Sequence, residues 1–293
     1  MRLRRNQIIT HRGLEPDRPG FFSESSYEAF ADHLGRGFGG IEFDLNFTCD
    51  GEIIVVHDAG LGRFTDGRDT RTFATDITTD EARAFRFANG RIPFFSEVMK
   101  LIRTHNSTRI NALHLKGRFQ EDKYLTLLVA AFKNARDVLD QIIVFDVRPK
   151  TARCLISELP GLRLAPSVAH PYDIERYGTA VGNTLLSVDE ALDLKREGLI
   201  AGVWLDEWDL ADRDGGTKTL YNADTFARLR ASGLEIYLVT PELHGTSPGL
   251  YGGESPPDAI SKNLLYHRIK ELVRLEPDGI CTDHPEEVLT LDA

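Results

Sequence analysis

The hydrophobic positions of this chain follow two alternating periods. Short apolar runs, which are typical of buried strands, occupy residues 7–10, a stretch that starts at Gly40 and returns through a hairpin to His57, and residues 110–116, 141–147, 162–168, 200–205, 234–239 and 279–282. Between them, helical spacing predicts helices near residues 27–34, 79–87, 96–103, 121–134, 150–157, 187–197, 222–232 and 258–274. Strands that alternate with helices predict a parallel sheet, and eight such units at this length predict a closed (β/α)8 barrel.

One segment departs from the alternation. Residues 59–92 are rich in Thr, Asp, Arg and Gly and contain a single short predicted helix. Together with the preceding hairpin, this excursion covers residues 46–92. Because no linker or internal repeat interrupts the rest of the chain, we expect one α/β domain over residues 1–293, a TIM barrel with an insertion at 46–92. The main rival, an open doubly wound sheet, would need a glycine-rich phosphate loop after the first strand, and that loop is absent from the sequence.

Two acids stand out in the second predicted strand. Glu42 and Asp44 are two residues apart, so on a strand they point to the same face, while Ile41, Phe43 and Leu45 take the other face. An acid in a strand can simply belong to the exposed half of a polar/apolar alternation. In a closed barrel, however, both acids would point into the centre and would need a cation as a partner. The pattern therefore predicts a metal site.

Further polar side chains fall at the ends of predicted strands. His11 and Arg12 end the first strand, His57 ends the hairpin, and His114 and Lys116 close the third strand. In TIM barrels the residues that carry out chemistry cluster at the carboxyl ends of the strands. These positions are thus where a barrel enzyme would hold its active site.

Composition narrows the class of protein. Hydrophobic residues make up 41% and charged residues 27% of the 293 residues, values that are ordinary for a globular enzyme. The formal charge of −10 argues against a nucleic-acid partner. No stretch has the length of a membrane span or of a signal-peptide core, so we expect a cytoplasmic protein without membrane insertion. Three widely spaced cysteines match neither a disulfide framework nor a zinc ribbon.

Several motifs resemble one family in their order along the chain. They are H-R-G at 11–13, S-E-S-S-Y-E-A-F-A at 23–31, G-I-E-F-D at 40–44, D-G-E-I-I-V-V-H-D at 50–58, L-G-R-F-T-D-G at 61–67, I-P-F-F-S-E-V at 92–98 and D-G-I-C-T-D-H-P at 278–285. Together they resemble the glycerophosphodiester phosphodiesterases, within the phospholipase-C-like phosphodiesterase superfamily. The resemblance implies a TIM barrel, one divalent cation and two histidines that act as acid and base on a small phosphodiester.

The resemblance also implies roles for individual residues. By this resemblance, His11 and His57 are the catalytic pair, and Glu42 and Asp44 are metal ligands. Arg12 and Lys116 contact the phosphate, and Glu24 is an acid near the site that orients its neighbours. The expected chemistry is consistent with these residue types. A cation with Arg and Lys stabilises charge on the phosphoryl oxygens, and two imidazoles that titrate near neutrality can supply a base and an acid.

At His114 the chain departs from the family pattern. Family members usually have Glu-x-Lys at the end of the third strand, where the Glu is the third metal ligand, whereas this chain has His114-Leu115-Lys116. His114 can still bind a metal, but an imidazole moves the preference from Mg²⁺ or Ca²⁺ towards Mn²⁺. The alternative is that His114 only lines the mouth of the barrel.

The predicted mouth differs from the family as well. A Gly-, Pro- and Ser-rich loop at 246–257 follows the seventh strand, and Trp204, Glu207 and Trp208 accompany the sixth. Aromatic and polar groups there would suit a sugar or polyol, and Trp204 is a candidate substrate contact. The alternative is that both tryptophans pack beneath the loop.

Three functions follow from these features. The first is a metal-dependent phosphodiesterase that releases a phosphomonoester and an alcohol, with attack by water or by a vicinal hydroxyl of the substrate. The second is a synthase that joins two sugars or polyols through phosphate. The third is a catalytically inactive binding protein. The presence of His11, His57, Glu42, Asp44 and Lys116 together argues against the third.

Overall fold

We describe a computed structural model that covers residues 2–65, 72–105, 110–207, 219–244 and 261–291. Its strands are β1 Ile8–His11, β2 Gly40–Phe47, β3 Ile53–Val55, β4 Arg86–Phe87, β5 Gly90–Arg91, β6 Asn111–His114, β7 Ile142–Phe145, β8 Arg163–Ala165, β9 Ser167–Val168, β10 Gly202–Leu205, β11 Glu235–Val239 and β12 Gly279–Thr282. Its helices are α1 Tyr27–Gly35, α2 Thr79–Ala84, α3 Phe95–His105, α4 Asp122–Lys133, α5 Pro149–Glu158, α6 Pro171–Tyr177, α7 Val188–Arg196, α8 Ala223–Ala231, α9 Lys262–Arg274 and α10 Pro285–Thr290.

The main sheet forms a barrel. Parallel strands follow the order β8-β7-β6-β2-β1-β12-β11-β10-β9, and β8 and β9 are the two parts of one predicted strand. Residues 162–168 were predicted as a single strand, but Pro166, which has no backbone N–H to donate, separates the two parts. The first part pairs with β7 and the second with β10, so the fifth strand position closes the ring. The predicted TIM barrel is thereby confirmed.

Local sequence explains where the helices begin. Ser26, Ser187 and Asn222 are N-caps whose side chains accept hydrogen bonds from the first turns of α1, α7 and α8. Helix α6 was not predicted, because its segment is only 7 residues long, although Pro171 in its first turn is a helix-start signal. None of the helices in the described ranges is long and apolar enough to cross a lipid bilayer.

The core has two layers. Alternate residues of the strands, such as Ile41, Phe43 and Leu45, pack outward against the helices. The other face fills the barrel with a smaller cluster of Ile9, Ala112, Ile143, Phe145, Ala165, Trp204, Tyr237 and Cys281. As predicted, Glu42 and Asp44 share this inner face, and both are buried. The barrel interior therefore holds acids just above its apolar filling.

The excursion after β2 has a small core of its own. β3 returns antiparallel to β2, as the hairpin prediction required, and β4 and β5 form a separate two-stranded sheet. The apolar side chains between these elements form one cluster that includes Ile54, Phe64, Phe87 and Phe94. The assignment of residues 1–293 to a single domain stays a prediction.

Candidate active site

The register of the parallel strands places the predicted site residues side by side. His11 of β1 is opposite Glu42 of β2, and Asp44 of β2 is opposite His114 of β6. They lie at the carboxyl ends of these strands, where a cavity of about 710 Å³ opens. His11, Glu42, His57, His114 and Lys116 line this cavity. The barrel thus collects residues that are far apart in sequence at one mouth.

His11 is held by a carboxylate from the other end of the chain. Its Nδ1 lies 2.6 Å from Oδ1 of Asp283, which directly follows β12 and is fully buried. Its Nε2 lies 4.0 Å from Oε2 of Glu42. Burial and the neighbouring Arg12 lower the pKa of His11, and they outweigh the opposing effect of Asp283. The unprotonated ring can therefore accept a proton at Nε2, while Nδ1 donates to Asp283.

His57 forms a similar pair with its neighbour in sequence. Its Nδ1 lies 2.5 Å from Oδ1 of Asp58, whose other oxygen accepts a hydrogen bond from Arg63. Burial is the main cause that lowers the pKa of His57 to about 4. Lys116 donates a hydrogen bond to the His57 carbonyl and also lies 3.2 Å from Oδ1 of Asp44. The lysine thus links the hairpin to the acidic strand.

The pKa values of Glu42 and Asp44 are shifted in opposite directions. Burial and the nearby Asp44 carboxylate raise the pKa of Glu42 to about 8. Burial would also raise the pKa of Asp44, but Lys116 and His57 are among the groups that hold it well below its usual range. Two buried acids this close favour sharing one negative charge unless a cation compensates the second. The acid pair is therefore a place where a divalent cation would bind.

His114 bridges two carboxylates. Its Nδ1 lies 2.8 Å from Oδ1 of Asp44, and its Nε2 lies 2.8 Å from Oδ2 of Asp146, which directly follows β7. Burial would lower the pKa of His114, but Asp146 and Asp44 outweigh it and raise the pKa to about 9. The ring stacks on Phe145, with 4.7 Å between centroids. At neutral pH this histidine is an imidazolium that donates to both acids.

The residues at this point have the donor types that a divalent cation requires. Potential ligand atoms of Glu42, Asp44 and His114 all lie within 4.8 Å of one another. Oδ2 of Asp44 is buried and accepts no hydrogen bond from the described residues, although Arg12 Nε lies 3.5 Å away. The set of two carboxylates and one imidazole suits Mn²⁺ as well as harder ions. To bind a metal, His114 would have to lose a proton and release one carboxylate.

Arg12 connects the acids to the loop that follows β1. Its side chain is buried, and it lies 3.5 Å from Asp44 and 3.7 Å from Glu24. Glu24 also contacts the guanidinium of Arg63. Arg12 has φ +52°, in the left-handed region that residues other than glycine rarely adopt. Such strain at the end of a barrel strand is typical of a functional position.

One prediction for the end of the sixth strand needs correction. Trp204 does not hang over the mouth, because it lies inside β10, where it is buried in the barrel and stacks on Phe145 at 4.3 Å. It lines the cavity from below, and its role as a substrate contact stays a prediction. Glu207 does not line the mouth either, because its carboxylate accepts hydrogen bonds from Tyr221 N and from Arg268. Trp208 and the loop at 246–257 lie outside the described residues.

Three acids next to the site were not singled out from the sequence. Asp58, Asp146 and Asp283 each contact a histidine, and each directly follows a strand or the hairpin that carries the site. Asp146 has φ +60°. Their common signal was position, since an acid immediately after an apolar strand lies at the mouth of a barrel. Which histidine each acid contacts depends on the folded geometry.

Comparison with known proteins identifies the family. Residues 11–287 match the model of the Glycerophosphoryl diester phosphodiesterase family. A glycerophosphodiester phosphodiesterase of Caldanaerobacter subterraneus subsp. tengcongensis is 34% identical over 103 residues, which cover 32% of this chain and 40% of the relative. The matched segment thus spans less than half of that relative's length.

Solved structures match the whole barrel. A glycerophosphodiester phosphodiesterase from Thermotoga maritima has a TM-score of 0.62 at 19% identity and covers 98% of both chains. An Oleispira antarctica phosphodiesterase in complex with the product sn-glycerol-3-phosphate has a TM-score of 0.60 at 15% identity and covers 96% of this chain and 94% of the other. At such identities the structural likeness supports the fold. The family match over residues 11–287 shows that this chain belongs to the glycerophosphoryl diester phosphodiesterase family.

Proposed function

We propose that this protein is a metal-dependent phosphodiesterase. It hydrolyses a glycerophosphodiester or a sugar-type phosphodiester to a phosphomonoester and an alcohol. The observation that carries the proposal is a pair of imidazoles, His11 and His57, in one cavity, each fixed through Nδ1 by a carboxylate. This arrangement leaves both Nε2 atoms available for proton transfer. In-line displacement at phosphorus needs a base on one side and an acid on the other.

We assign His11 as the base and His57 as the acid. The attacking group is water, or a vicinal hydroxyl of the substrate that first forms a cyclic phosphate, which water then opens to the monoester. When His11 accepts a proton from the attacking group, Asp283 stabilises the imidazolium that forms. The bond from phosphorus to the attacking oxygen forms as the bond to the leaving alcohol breaks, and His57 gives that alcohol its proton. His57 must be protonated when substrate binds. A phosphodiester anion beside the ring would raise the pKa of His57 from its lowered value in the free protein.

Positive groups at the site suit the charge on the phosphate. Arg12 and Lys116 line the cavity beside the histidines. Both are close to Asp44, which holds them in place without removing them from the cavity wall. Interactions with oxygens that gain negative charge during displacement lower the barrier. Arg12 and Lys116 are therefore assigned to the phosphate.

Glu42 and Asp44 would hold the divalent cation, with His114 as the third ligand. A bound Mg²⁺, Ca²⁺ or Mn²⁺ ion supplies Lewis-acid stabilisation of the phosphoryl oxygens. It also compensates the second charge of the acid pair, which burial makes unfavourable in the protein alone. The metal ion, Arg12 and Lys116 together supply the positive charge that binds the anionic phosphodiester beside the acid pair.

Product analysis tests this proposal. The protein is incubated with glycerophosphoethanolamine and with glycerophosphoglycerol, in Mg²⁺, Ca²⁺, Mn²⁺ or a chelator. We expect glycerol phosphate in at least one metal and none in the chelator. Asp44→Asn is the matched control, since it keeps the side-chain shape but removes the charge. Failure to release a monoester in any metal would contradict the proposal.

The same samples separate the two alternatives. A synthase would leave a glycerophosphodiester intact in water but form a new diester when a sugar acceptor is added. An inactive binding protein would bind the diester at equilibrium and change neither sample. Release of a monoester from the wild-type protein excludes both alternatives.

A further inference from the structure

Two arginines line the cavity away from the histidines. Arg118 follows β6 and Arg148 follows β7, so both belong to adjacent strand-end loops on one wall. Neither forms an ion pair with a carboxylate of the described residues. Arg118 donates to the amide oxygen of Asn46 at 3.1 Å, and Arg148 donates to the carbonyl of Gly182 at 2.7 Å. Both positive charges are thus anchored by neutral groups.

Three acids that line the cavity near these loops have other partners. The pairs are Asp58 with His57 and Arg63, Asp146 with His114, and Glu121 with Lys123. Lys116, which precedes Arg118 in sequence, forms an ion pair with Asp44. Arg118 and Arg148 are therefore not neutralised by a direct ion pair with these acids, although Asp44 and Asp58 lie close enough to interact electrostatically with Arg118. Asp206, which directly follows β10, lines the cavity as well.

The position of Arg148 is fixed by its surroundings. A Cβ atom at Gly117 would come within 3.1 Å of Nη2 of Arg148, and one at Gly182 within 3.0 Å. The backbone N–H of Arg148 donates to Gln120 Oε1 at 3.0 Å, and Gln120 in turn donates to the Asp146 carbonyl at 2.6 Å. The two glycines thus leave room for the guanidinium between the loops, the Gly182 carbonyl accepts its hydrogen bond, and Gln120 fixes the backbone of Arg148. A side chain held in this way loses little entropy when it binds an anion.

Arg118 is held as well, although its side chain is exposed. Its guanidinium lies 4.7 Å from the centroid of the Phe119 ring. Asn46, which accepts its hydrogen bond, is buried and donates to the Val56 carbonyl at 2.8 Å. The bond therefore ties Arg118 to the strand that carries Glu42 and Asp44.

We propose that Arg118 and Arg148 form a second anion subsite, which binds a carboxylate or phosphate on the alcohol part of the substrate. The planar guanidinium groups suit both kinds of oxyanion. This inference rests on the proposed function, because it names the class of phosphodiester that the same cavity prefers. A diester with a second anionic group would contact the histidines and Arg12 through its phosphodiester and this wall through its alcohol.

Matched substrate pairs test the subsite. Glycerophosphoserine and glycerophosphoethanolamine differ only by a carboxylate, and glycerophosphoinositol 4-phosphate and glycerophosphoinositol differ only by a phosphate. The readout is the ratio of kcat/KM within each pair. We expect the anionic member to be preferred about tenfold or more in one pair, since hydrogen bonds to a charged group are the stronger kind. The pair that shows the preference identifies the kind of anion.

Substitutions assign the preference to this wall. Arg118→Gln and Arg148→Gln should each bring the ratio of kcat/KM within the preferred pair towards one. Because Arg118 is exposed, Arg118→Gln should fold even if Arg148→Gln does not. Arg136→Gln is the control, because Arg136 is exposed and precedes β7 at the opposite end of the barrel. A ratio near one in both pairs for the wild type, or an unchanged preference in Arg118→Gln, would overturn the subsite.

An equilibrium measurement separates this proposal from the catalytic one. Calorimetry with O-phosphoserine and O-phosphoethanolamine needs no turnover. If the wall binds a carboxylate, we expect phosphoserine to bind the wild-type protein about tenfold more tightly than phosphoethanolamine. If it binds a phosphate, we expect inositol 1,4-bisphosphate to bind about tenfold more tightly than inositol 1-phosphate. Equal Kd values within both pairs contradict the subsite whether or not diesters are hydrolysed. Absence of hydrolysis with unequal Kd values contradicts only the phosphodiesterase.

Discussion

At the scale of single residues, the contacts between histidines and acids determine what the site can do. His11 and Asp283 are 2.6 Å apart, and both are buried. A carboxylate on Nδ1 fixes the tautomer so that Nε2 accepts the proton. The acid is thus a positioning residue, since it acts through His11 and does not contact the reacting atoms.

Replacing Asp283 by Asn should lower kcat by about 10²–10⁴-fold, because an amide can favour the wrong tautomer of His11. Asp283 acts to raise the pKa of His11, so the limb of the pH–rate profile that belongs to His11 should move to lower pH in the variant. Rates from pH 4 to 9 check both effects. The double variant with His11→Ala should be little worse than His11→Ala alone. An unmoved profile with normal kcat would leave Asp283 with a purely structural role.

His114 is the proposed third metal ligand, at a position where the family resemblance implies a Glu. Titration of Mg²⁺ and Mn²⁺ into the wild type, His114→Ala and His114→Glu tests it as a ligand. Since its pKa is raised to about 9, a proton competes with the metal at neutral pH, and affinity should rise as pH increases towards that value. His114→Glu should bind Mg²⁺ more tightly and reduce any preference for Mn²⁺. His114→Ala should bind both metal ions more weakly. Equal constants in all three proteins would exclude His114 from the ligand set.

At the scale of elements, helix α1 is tied to the loop after β1 by a half-buried acid, Glu15. Glu15 accepts hydrogen bonds from His33 at 3.1 Å and from Arg36. Burial would raise the pKa of Glu15, but His33 and Arg36 outweigh it and lower the pKa to about 2. The ionised carboxylate therefore stabilises the folded state above its unfolded pKa of about 4.5, and the contribution is lost as pH falls towards 2.

Glu15→Gln should accordingly lower Tm at pH 7, where the wild-type carboxylate is ionised. The difference in Tm between the two proteins should shrink as the pH is taken from 5 down to 3, because the wild type loses this contribution in that window. Calorimetric scans across this range provide the measurement. A difference in Tm that is independent of pH would show that the charge on Glu15 does not stabilise the fold.

The elements also show how far sequence patterns reach. Strand and helix periodicity were enough for the barrel, because each unit is short and regular. Glu42 and Asp44 were placed correctly because period-two alternation fixes the face of a strand residue. The division of the fifth strand was missed, because Pro166 lies within an apolar run. Its presence could have indicated the division, since proline has no backbone N–H to donate to a neighbouring strand. Trp204 lies inside the strand predicted at 200–205, and its side chain belongs to the cluster that fills the barrel.

At the scale of the whole molecule, closure of the barrel makes contacts that no local pattern contains. His11 and Asp283 are 272 residues apart in sequence, and His114 and Asp146 come from adjacent strand ends. Strand order and register decide these pairings, and they depend on the packing of all eight positions of the ring. The residue types of the site could thus be predicted from sequence, whereas its pairings of histidine and acid required the fold.

The central claim is that His11 and His57 together cleave a phosphodiester, and ³¹P NMR of the reaction tests it directly. The wild-type protein, His11→Ala, His57→Ala and the double variant are compared on the same glycerophosphodiester with the most active metal. We expect the wild type to convert the diester resonance to a monoester resonance. Each single variant should be slower by about 10²-fold or more, and the double variant only slightly slower again. Near-normal conversion by both single variants, or an unchanged diester resonance in the wild type with every metal, would contradict the account.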